Sequence, residues 1–174
     1  MTNTSLQELQ TFLHNHQQFF FDEMRIADYG GTDAIGTNTI KDMLAGGGMK
    51  NYHMLDLDNG VDLRKPIKGK KFDLGICMDL LEHVSNPFVV ANNIVKSLNK
   101  GAFLFVTAPF VWELHGYPKD FWRYTPDGFA ELFKEMEAEI IYVEADTHQD
   151  LKDTKQLVPV GRPWTRVIGI FRKI

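Results

Sequence analysis

The stretch ELHGYPKDFWRYTP, residues 113–126, concentrates side chains that can do chemistry. It contains an imidazole (His115), a carboxylate (Asp120) and a guanidinium (Arg123), set among aromatic residues and two prolines. A positioned imidazole or carboxylate can remove a proton from an alcohol, a phenol or an amine near neutral pH. His115 is therefore our first candidate for a general base, and Asp120 is the second.

The aromatic residues of this region are suited to one wall of a substrate pocket, because a ring face stabilises a passing positive charge by about 0.5–2 kcal/mol. A structural alternative stays open, in which the rings hold the loop on a sheet and Asp120 pairs with Arg123 to fix its shape. For His83 the alternative is a polar position near a helix start. The residues that we expect to contact a substrate are His83, Trp112, Tyr117, Trp122, Arg123 and Tyr124, while Arg162, Trp164 and Arg166 either extend this wall or are exposed.

Alternating strand and helix patterns must position this loop. Helix starts are indicated by the capping box of Ser5 and Glu8, and by the pairs Asn86–Pro87 and Thr125–Pro126. The alternation predicts an open, mostly parallel sheet with helices on both faces, and an antiparallel edge where the last two strands lack a helix between them. The predicted strands are RIADYGG, YHMLDLD, KFDLGICM, AFLFVTAP, AEIIYVEA and TRVIGIFRK.

In such a sheet, ligands bind beyond the carboxyl ends of the strands. Asp28, Gly30 and Gly31 follow the first strand, and Asp56 follows the second. Glycines let the backbone approach a ligand closely, and an acid after the second strand can accept both hydroxyls of a ribose. This pattern indicates a nucleoside-bearing cofactor, although a glycine pair also makes an ordinary tight turn. The chain lacks G-x-G-x-x-G and G-x-x-x-x-G-K-[ST], which disfavours dinucleotide and nucleoside triphosphate binding.

Two motifs in order along the chain carry a resemblance to a known family. The first is FDLGICMDLLEHVSNP, residues 72–87, and the second is H-x-x-P-x-D-x-x-R-x-T, which begins at His115 and ends at Thr125. Together with IADYGGTD and YHMLDLD, they resemble the class I S-adenosylmethionine-dependent methyltransferases, and more narrowly the small methyltransferase-11-type group. The resemblance covers roughly residues 25–135, and it implies a Rossmann-like fold.

The resemblance implies an enzyme that transfers a methyl group from S-adenosylmethionine to an unidentified small-molecule acceptor by in-line displacement, with S-adenosylhomocysteine as product. Asp56 would hold the ribose, and Asp62 and Leu63 would lie at the adenine. The residues expected beside the methionine part are Asp28, Gly30, Gly31 and Thr32, and those expected near the sulfonium are Met78, Asp79 and Leu80.

Two departures from the family pattern keep other hypotheses open. Thr32 and Ala34 replace the second and third glycines of the turn acid-x-G-x-G-x-G. Only five residues separate Asp56 from Asp62, where the family commonly has a helix and a strand, so we expect a sheet shortened on the side of its second and third strands. A second hypothesis is therefore a methyltransferase-like binding module that has lost catalysis. A third is a nucleoside-handling enzyme that uses the ribose site for another reaction.

Length and composition predict one domain over residues 1–174, with an N-terminal helix in 1–22 and the core in 23–174. The net charge of −4 disfavours nucleic acid and anionic membranes as partners. One cysteine, Cys77, cannot form an internal disulfide, and no apolar run is long enough for a membrane span, so we expect a cytoplasmic protein. We expect no metal site, since Cys77 lies in an apolar run and His14 and His16 point to different helix faces. The oligomeric state is left open.

Overall fold

The computed structural model describes residues 3–31, 37–46, 51–116, 119–145 and 165–174. The strands are β1 (Arg25–Tyr29), β2 (Asn51–Leu55), β3 (Phe72–Met78), β4 (Leu98–Val111), β5 (Glu137–Ala145) and β6 (Thr165–Arg172). The α-helices are α1 (Asn3–Asn15), α2 (Thr37–Gly46), α3 (Pro87–Ser97) and α4 (Pro126–Leu132), with short 3-10 helices at Gln17–Phe19, Leu57–Asn59 and Leu81–His83. No helix in these ranges is long and apolar enough to cross a membrane.

The six strands form one sheet in the order β2-β1-β3-β4-β6-β5. Strands β1 to β4 are parallel to one another, whereas β6 is antiparallel to both β4 and β5. This confirms the predicted, mostly parallel sheet with antiparallel pairing at one edge. The chain runs outward from β1 to β2 and then returns to the other side of β1 as β3, so strand order reverses between β1 and β3. Ligands of open α/β sheets bind at such a reversal.

Helices cover both faces of the sheet, as predicted. On one face, Leu74 and Ile76 of β3 pack in a buried cluster with Phe12 of α1 and Leu44 of α2. On the other face, Cys77 of β3 lies in a cluster that includes side chains of α3 and α4. Each apolar side chain buried this way stabilises the fold by about 1.5–3 kcal/mol. A strand buried on both faces explains why KFDLGICM is apolar almost throughout.

The two predicted helix N-caps are present, and they determine the residues at which α3 and α4 begin. The Asn86 side chain accepts a hydrogen bond from the Val89 amide, and Thr125 accepts one from the Gly128 amide. Proline follows each cap at the first helical position, where its missing N–H costs no helical hydrogen bond. The loop between β4 and α4 is therefore anchored at its C-terminal end by Thr125 and Pro126.

The sheet is shortened beyond β2, as expected. Strand β2 is an edge strand, and the chain passes from it through the 3-10 helix Leu57–Asn59 to β3. The whole of residues 56–71 is described and contains neither a strand nor an α-helix. Five residues between Asp56 and Asp62 are too few to build both a helix and a further strand.

A substitution at Gly75, in the middle of β3, tests how tightly the central strands pack. A Cβ at this position would lie 2.9 Å from Leu104 Cδ1 and 2.9 Å from Tyr29 Cε2, both of which belong to buried side chains. Gly75→Ala should therefore lower the free energy of unfolding by about 1–3 kcal/mol through overpacking, as measured by urea denaturation.

Gly128→Ala in α4 is the matched control. A Cβ there would meet Thr125 Oγ1 at 3.5 Å, an ordinary contact, and alanine is favoured over glycine in a helix by about 0.5–1 kcal/mol. The control should keep or gain stability. Equal loss of stability in both variants would contradict the described packing of β3.

Candidate functional site

The segment 79–84, which follows β3, and the loop 112–124, which follows β4, are joined by hydrogen bonds at the carboxyl end of the sheet. We call residues 112–124 the aromatic loop; Tyr117 and Pro118 lie outside the described residues. The Phe121 amide donates to the Glu82 carbonyl at 2.7 Å, and Trp122 Nε1 donates to the Val84 carbonyl at 2.9 Å. Tyr124 donates its hydroxyl to the Leu81 carbonyl at 2.8 Å. The ends of two adjacent strands thus carry one continuous site.

The glycine turn after β1 makes room for the chain's own side chains. Gly30 has a φ of 79° in the left-handed region, and a Cβ there would lie 2.7 Å from Leu80 Cδ1. A Cβ on Gly31 would collide with the Asp28 carboxylate. The space that the sequence predicted for a close ligand approach is thus bordered by Leu80 and Asp28. Thr32, the next predicted cofactor contact, lies outside the described residues.

Asp28 is the buried acid at the carboxyl end of β1. It is 3% exposed and accepts a hydrogen bond from the Tyr52 hydroxyl of β2. Burial raises the pKa of Asp28 to about 6; the Tyr52 hydrogen bond works in the opposite direction, and the charge of Asp56 adds to the increase. Asp28 and Asp56 are therefore near enough to interact, as the predicted cofactor site requires.

The residues predicted for the ribose and adenine lie along the shortened edge. Asp56 follows β2 directly, and its carboxylate accepts a hydrogen bond from the Asp58 amide at 2.9 Å. Asp62 is held by Arg64, whose Nε lies 2.8 Å from Asp62 Oδ1, and this hydrogen bond lowers the pKa of Asp62. Leu63 is 7% exposed and packs in the core cluster on the α3 side of the sheet. Asp56 and Asp62 thus lie on the segment that follows β2, whereas the Leu63 side chain belongs mainly to the core.

Asp79, which follows the half-buried Met78, has an unusual backbone for a residue with a side chain. Its φ is 52°, in the left-handed region, which costs about 1–2 kcal/mol in a non-glycine residue. Thr107 of β4 donates a hydroxyl to Asp79 Oδ1 at 3.2 Å, and Arg166 Nη1 of β6 lies 3.1 Å from Asp79 Oδ2. Arg166 is buried and its guanidinium lies 5.2 Å from the centre of the Trp112 ring. These contacts hold Asp79 and Leu80 at the end of β3.

Asp120 and Arg123 form an ion pair, as predicted by the alternative in which these two residues fix the shape of the loop. Arg123 donates to both oxygens of Asp120, at 2.5 and 2.7 Å, and also to the carbonyls of Trp112 and Glu113 at 3.3 and 3.1 Å. Hydrogen bonding by Arg123 is the main reason that the pKa of Asp120 lies well below its ordinary value. A carboxylate held as an anion in this way is a weak proton acceptor, so the geometry favours a positioning role for Asp120 over the role of general base.

The described aromatic residues mostly fix the loop. Tyr124 is 6% exposed, and burial raises the pKa of its phenol well above its usual range. Trp122 is 42% exposed and uses its indole N–H on the Val84 carbonyl. Trp112 supports Arg166 with one ring face. Phe121 and Trp122 are the most exposed described rings of the aromatic loop, and the substrate wall stays a prediction; Tyr117 lies outside the described residues.

His83 and His115, predicted from separate motifs, are brought together. Their rings meet edge to face at 4.9 Å between centroids. His83 Nδ1 lies 2.7 Å from the Lys119 carbonyl, and His115 Nδ1 lies 3.1 Å from Asp120 Oδ2. The parallel pairing of β3 with β4 explains the meeting, because each histidine follows the carboxyl end of one of these strands.

Glu82 belongs to this site and was missed by the sequence reasoning. It is 1% exposed, and burial raises its pKa to about 8, with the charge of Asp79 as the second cause. Its Oε1 lies 3.7 Å from His83 Nε2. The available signal was an acid next to His83, directly after a buried strand, with a second histidine in the loop after the adjacent strand.

Comparisons with known proteins identify the fold. No protein-family model and no curated protein matches the sequence. A solved S-adenosylmethionine-dependent methyltransferase from Clostridium acetobutylicum matches with a TM-score of 0.65 and 11% identity, covering 99% of this chain and 92% of that one. One from Mesorhizobium loti matches with a TM-score of 0.61 and 14% identity, covering 90% and 95%. The [4+2]-cyclase SpnF matches with a TM-score of 0.62 and 13% identity, covering 95% and 80%. The chain has the Rossmann-like fold of class I S-adenosylmethionine-dependent methyltransferases.

The raised pKa of Asp28 predicts a specific pH dependence of stability. Between about pH 4 and pH 6, the folded protein keeps a proton on Asp28 that the unfolded chain has released, so the free energy of unfolding falls as pH rises through this window. The decrease should total about 2–3 kcal/mol. Asp28→Asn keeps an oxygen for the Tyr52 hydrogen bond but removes this titration. Urea denaturation without cofactor measures this: between pH 4 and pH 7, the free energy of unfolding of the variant, relative to that of the wild type, should increase by that amount.

Asp58→Asn, at an exposed acid near the same edge, is the control and should follow the wild-type profile. Parallel profiles for Asp28→Asn and the wild type would contradict the burial of an ionisable Asp28.

Proposed function

We propose that this chain is an S-adenosylmethionine-dependent methyltransferase that acts on a small-molecule acceptor and releases S-adenosylhomocysteine. The observation that carries the proposal is the order of the sheet. Strand order reverses between β1 and β3, where the fold is known to bind ligands. Asp28, Asp56 and the segment 79–83 follow the strands around that reversal, and the aromatic loop lies beside them.

In the donor half, Asp56 would accept hydrogen bonds from the ribose hydroxyls, and Asp62 would border the adenine with Leu63 beneath it. The methionine part would lie along the turn after β1, and the sulfonium would face the end of β3. A carboxylate near a sulfonium favours the positively charged donor over its neutral product. The proposed donor contacts are Asp28, Gly30, Gly31, Thr32, Asp56, Asp62, Leu63, Met78, Asp79 and Leu80.

In the reaction, the acceptor nucleophile forms a bond to the methyl carbon while the bond from carbon to sulfur breaks and its electron pair stays on sulfur. Because sulfonium is a good leaving group, the protein's main task is to align the three atoms. The acceptor proton must also leave. His115 is the proposed proton acceptor, through Nε2, since its Nδ1 lies 3.3 Å from the Glu113 carbonyl, and the Asp120 carboxylate, 3.1 Å from Nδ1, would stabilise the imidazolium that forms.

The acceptor half is proposed to comprise His83 and the aromatic loop. Trp112, Tyr117, Trp122 and Tyr124 would form its wall, and Arg123 would fix the loop that carries them. A negative net charge supports a small molecule over nucleic acid or a membrane lipid. A cytoplasmic location remains part of the proposal.

A second candidate function is that of a methyltransferase-like module that does not turn over. The contact of Leu80 with Gly30 favours it, because the chain's own side chain occupies the space over this glycine. The replacement of two turn glycines by Thr32 and Ala34 also favours it. The fold alone does not decide, since one fold hosts several chemistries. Transfer of a radiolabelled methyl group to any member of an acceptor panel would exclude this second function.

Asp56→Ala tests the donor site. Losing hydrogen bonds to a charged group costs about 1.5–3 kcal/mol, which corresponds to about a 10- to 100-fold weaker binding of S-adenosylhomocysteine by calorimetry. Asp58→Ala removes an equal charge two residues away, from an exposed side chain, and should bind like the wild type. Absence of binding to the wild type would refute the proposed function, and equal affinities of all three proteins would refute the assignment of Asp56.

His115→Ala tests the acceptor site. Loss of a general base typically slows turnover by about 10²- to 10⁴-fold, while S-adenosylhomocysteine binding should change little, because His115 lies on the acceptor side. Initial rates with radiolabelled donor measure the first quantity, and calorimetry measures the second. A variant with full turnover would show that another group, or water, takes the proton.

A further inference from the structure

Glu82 is a buried acid whose bonding is incomplete. It is 1% exposed, and within the described residues its Oε2 has no hydrogen-bond partner. Its other oxygen, Oε1, lies 3.7 Å from His83 Nε2, which is too long for a hydrogen bond. Leaving a buried polar group unsatisfied is unfavourable, and more so for a charged one. A donor or a cation bound at Oε2 would therefore relieve this position.

Both neighbouring histidines are held so that Nε2 offers a lone pair. His83 Nδ1 lies 2.7 Å from the Lys119 carbonyl, which can only accept, so the proton of the neutral ring is on Nδ1. His115 Nδ1 lies 3.3 Å from the Glu113 carbonyl, which also can only accept, and the same assignment follows. Each ring thus directs an unprotonated Nε2 away from its oxygen partner.

The two histidines and Glu82 also lie close together. One possible ligand atom from each of Glu82, His83 and His115 lies within 4.8 Å of the other two. A cation between these atoms would accept an electron pair from each and would satisfy the buried Glu82 oxygen. We infer that Glu82, His83 and His115 form a binding site for a divalent first-row transition-metal cation of the Zn²⁺ type.

The donor set determines the class of cation. Two imidazoles with one carboxylate suit zinc, iron or cobalt, whereas magnesium and calcium prefer oxygen ligands alone. Bonds of about 2.0–2.2 Å to a tetrahedral ion place ligand atoms about 3.3 Å apart. Small side-chain rotations of the three residues would close the present separation.

The surroundings of the two histidines support the inference. Metal-ligating histidines usually donate their second ring N–H to a carboxylate or a backbone carbonyl, which orients the ring. The backbone carbonyls of Lys119 and Glu113 provide these two partners, and Arg123 donates to the Glu113 carbonyl in turn. This inference replaces the expectation from the sequence that the chain holds no metal, which considered only Cys77, His14 and His16.

Three protein ligands leave at least one coordination position for water or a substrate atom. The next step, unlike the metal site itself, rests on the proposed function. If the chain is a methyltransferase, an oxygen of the methyl acceptor would complete the coordination of the cation. A metal ion lowers the pKa of a bound hydroxyl, so alcohols or phenols would be the favoured acceptor class. His115 Nε2 would then hold the cation rather than take the proton itself.

Titration of the metal-free full chain with Co²⁺ tests the site, because bound Co²⁺ shows visible absorption bands that report its ligands. We expect one Co²⁺ per chain, displaced by Zn²⁺ and unaffected by excess Mg²⁺. His83→Ala and His115→Ala should each weaken binding by more than about 100-fold, since loss of even an orienting partner costs about 10- to 100-fold. His14→Ala, at an exposed histidine of α1, is the control and should bind like the wild type.

Glu82→Gln separates metal binding from folding, because it keeps the side-chain size in a buried position. It should weaken Co²⁺ binding by at least about 10-fold while the metal-free variant keeps the thermal midpoint of the wild type or exceeds it. The inference is overturned if the wild type binds neither Co²⁺ nor Zn²⁺, if Mg²⁺ displaces Co²⁺, or if the His83, His115 and Glu82 variants bind like the wild type.

Calorimetry with S-adenosylhomocysteine on the same proteins keeps the two claims apart. Wild-type binding of Co²⁺ without S-adenosylhomocysteine would uphold the metal site and refute the proposed methyl transfer. Binding of S-adenosylhomocysteine without Co²⁺ would refute the metal site and leave the donor site standing.

Discussion

The hydrogen bonds between the segment 79–84 and the aromatic loop are the contacts on which the candidate site depends. The loop connects β4 to α4 and has no regular secondary structure in its described part, so its backbone groups need other partners. The Phe121 amide donates to the Glu82 carbonyl, and the Arg123 guanidinium donates to the loop carbonyls of Trp112 and Glu113 and to Asp120. The side chains of Trp122 and Tyr124 add hydrogen bonds to the carbonyls of Val84 and Leu81. Lysine, with one ammonium group, cannot reproduce this planar fork. Because the loop is fixed in this way, His115 faces His83 across the junction of two strands.

Buried acids gather at the same end of the sheet. Asp28, Asp79 and Glu82 are held within or directly after β1 and β3, and each is mostly shielded from water. Burial raises the pKa values of Asp28 and Glu82, and the charge of Asp56 on Asp28 and that of Asp79 on Glu82 add to the increase, so burying these acids weakens the fold at neutral pH. Perturbed acids in a cleft are typical of functional sites. A sulfonium donor in one half and a divalent cation in the other would both relieve this concentration of negative charge.

The sequence predicted the features that depend on residues close to one another along the chain. Side-chain periodicity and the caps at Asn86 and Thr125 predicted the elements, and the short spacing from Asp56 to Asp62 predicted the clipped sheet edge. It did not predict contacts between residues that are far apart along the chain. Nothing local indicates that β6 inserts between β4 and β5, or that Leu80 packs on Gly30. Leu63, predicted to lie at the adenine, also packs in the core cluster on the α3 side of the sheet, a contact that the sequence did not indicate. Glu82 has the local appearance of a solvated helix-start residue, and only the pairing of β3 with β4 encloses it.

A crystal structure of the protein with S-adenosylhomocysteine would test the proposed donor site most directly. We expect the adenosyl group to lie across the carboxyl ends of β1 and β2, with the ribose hydroxyls on Asp56 and the sulfur directed toward His83 and His115. Leu80 would then have to lie beside the ligand. A ligand bound elsewhere, or a site still filled by Leu80 and Asp28 at saturating ligand, would contradict the central claim that these strand ends form a methyl-donor site.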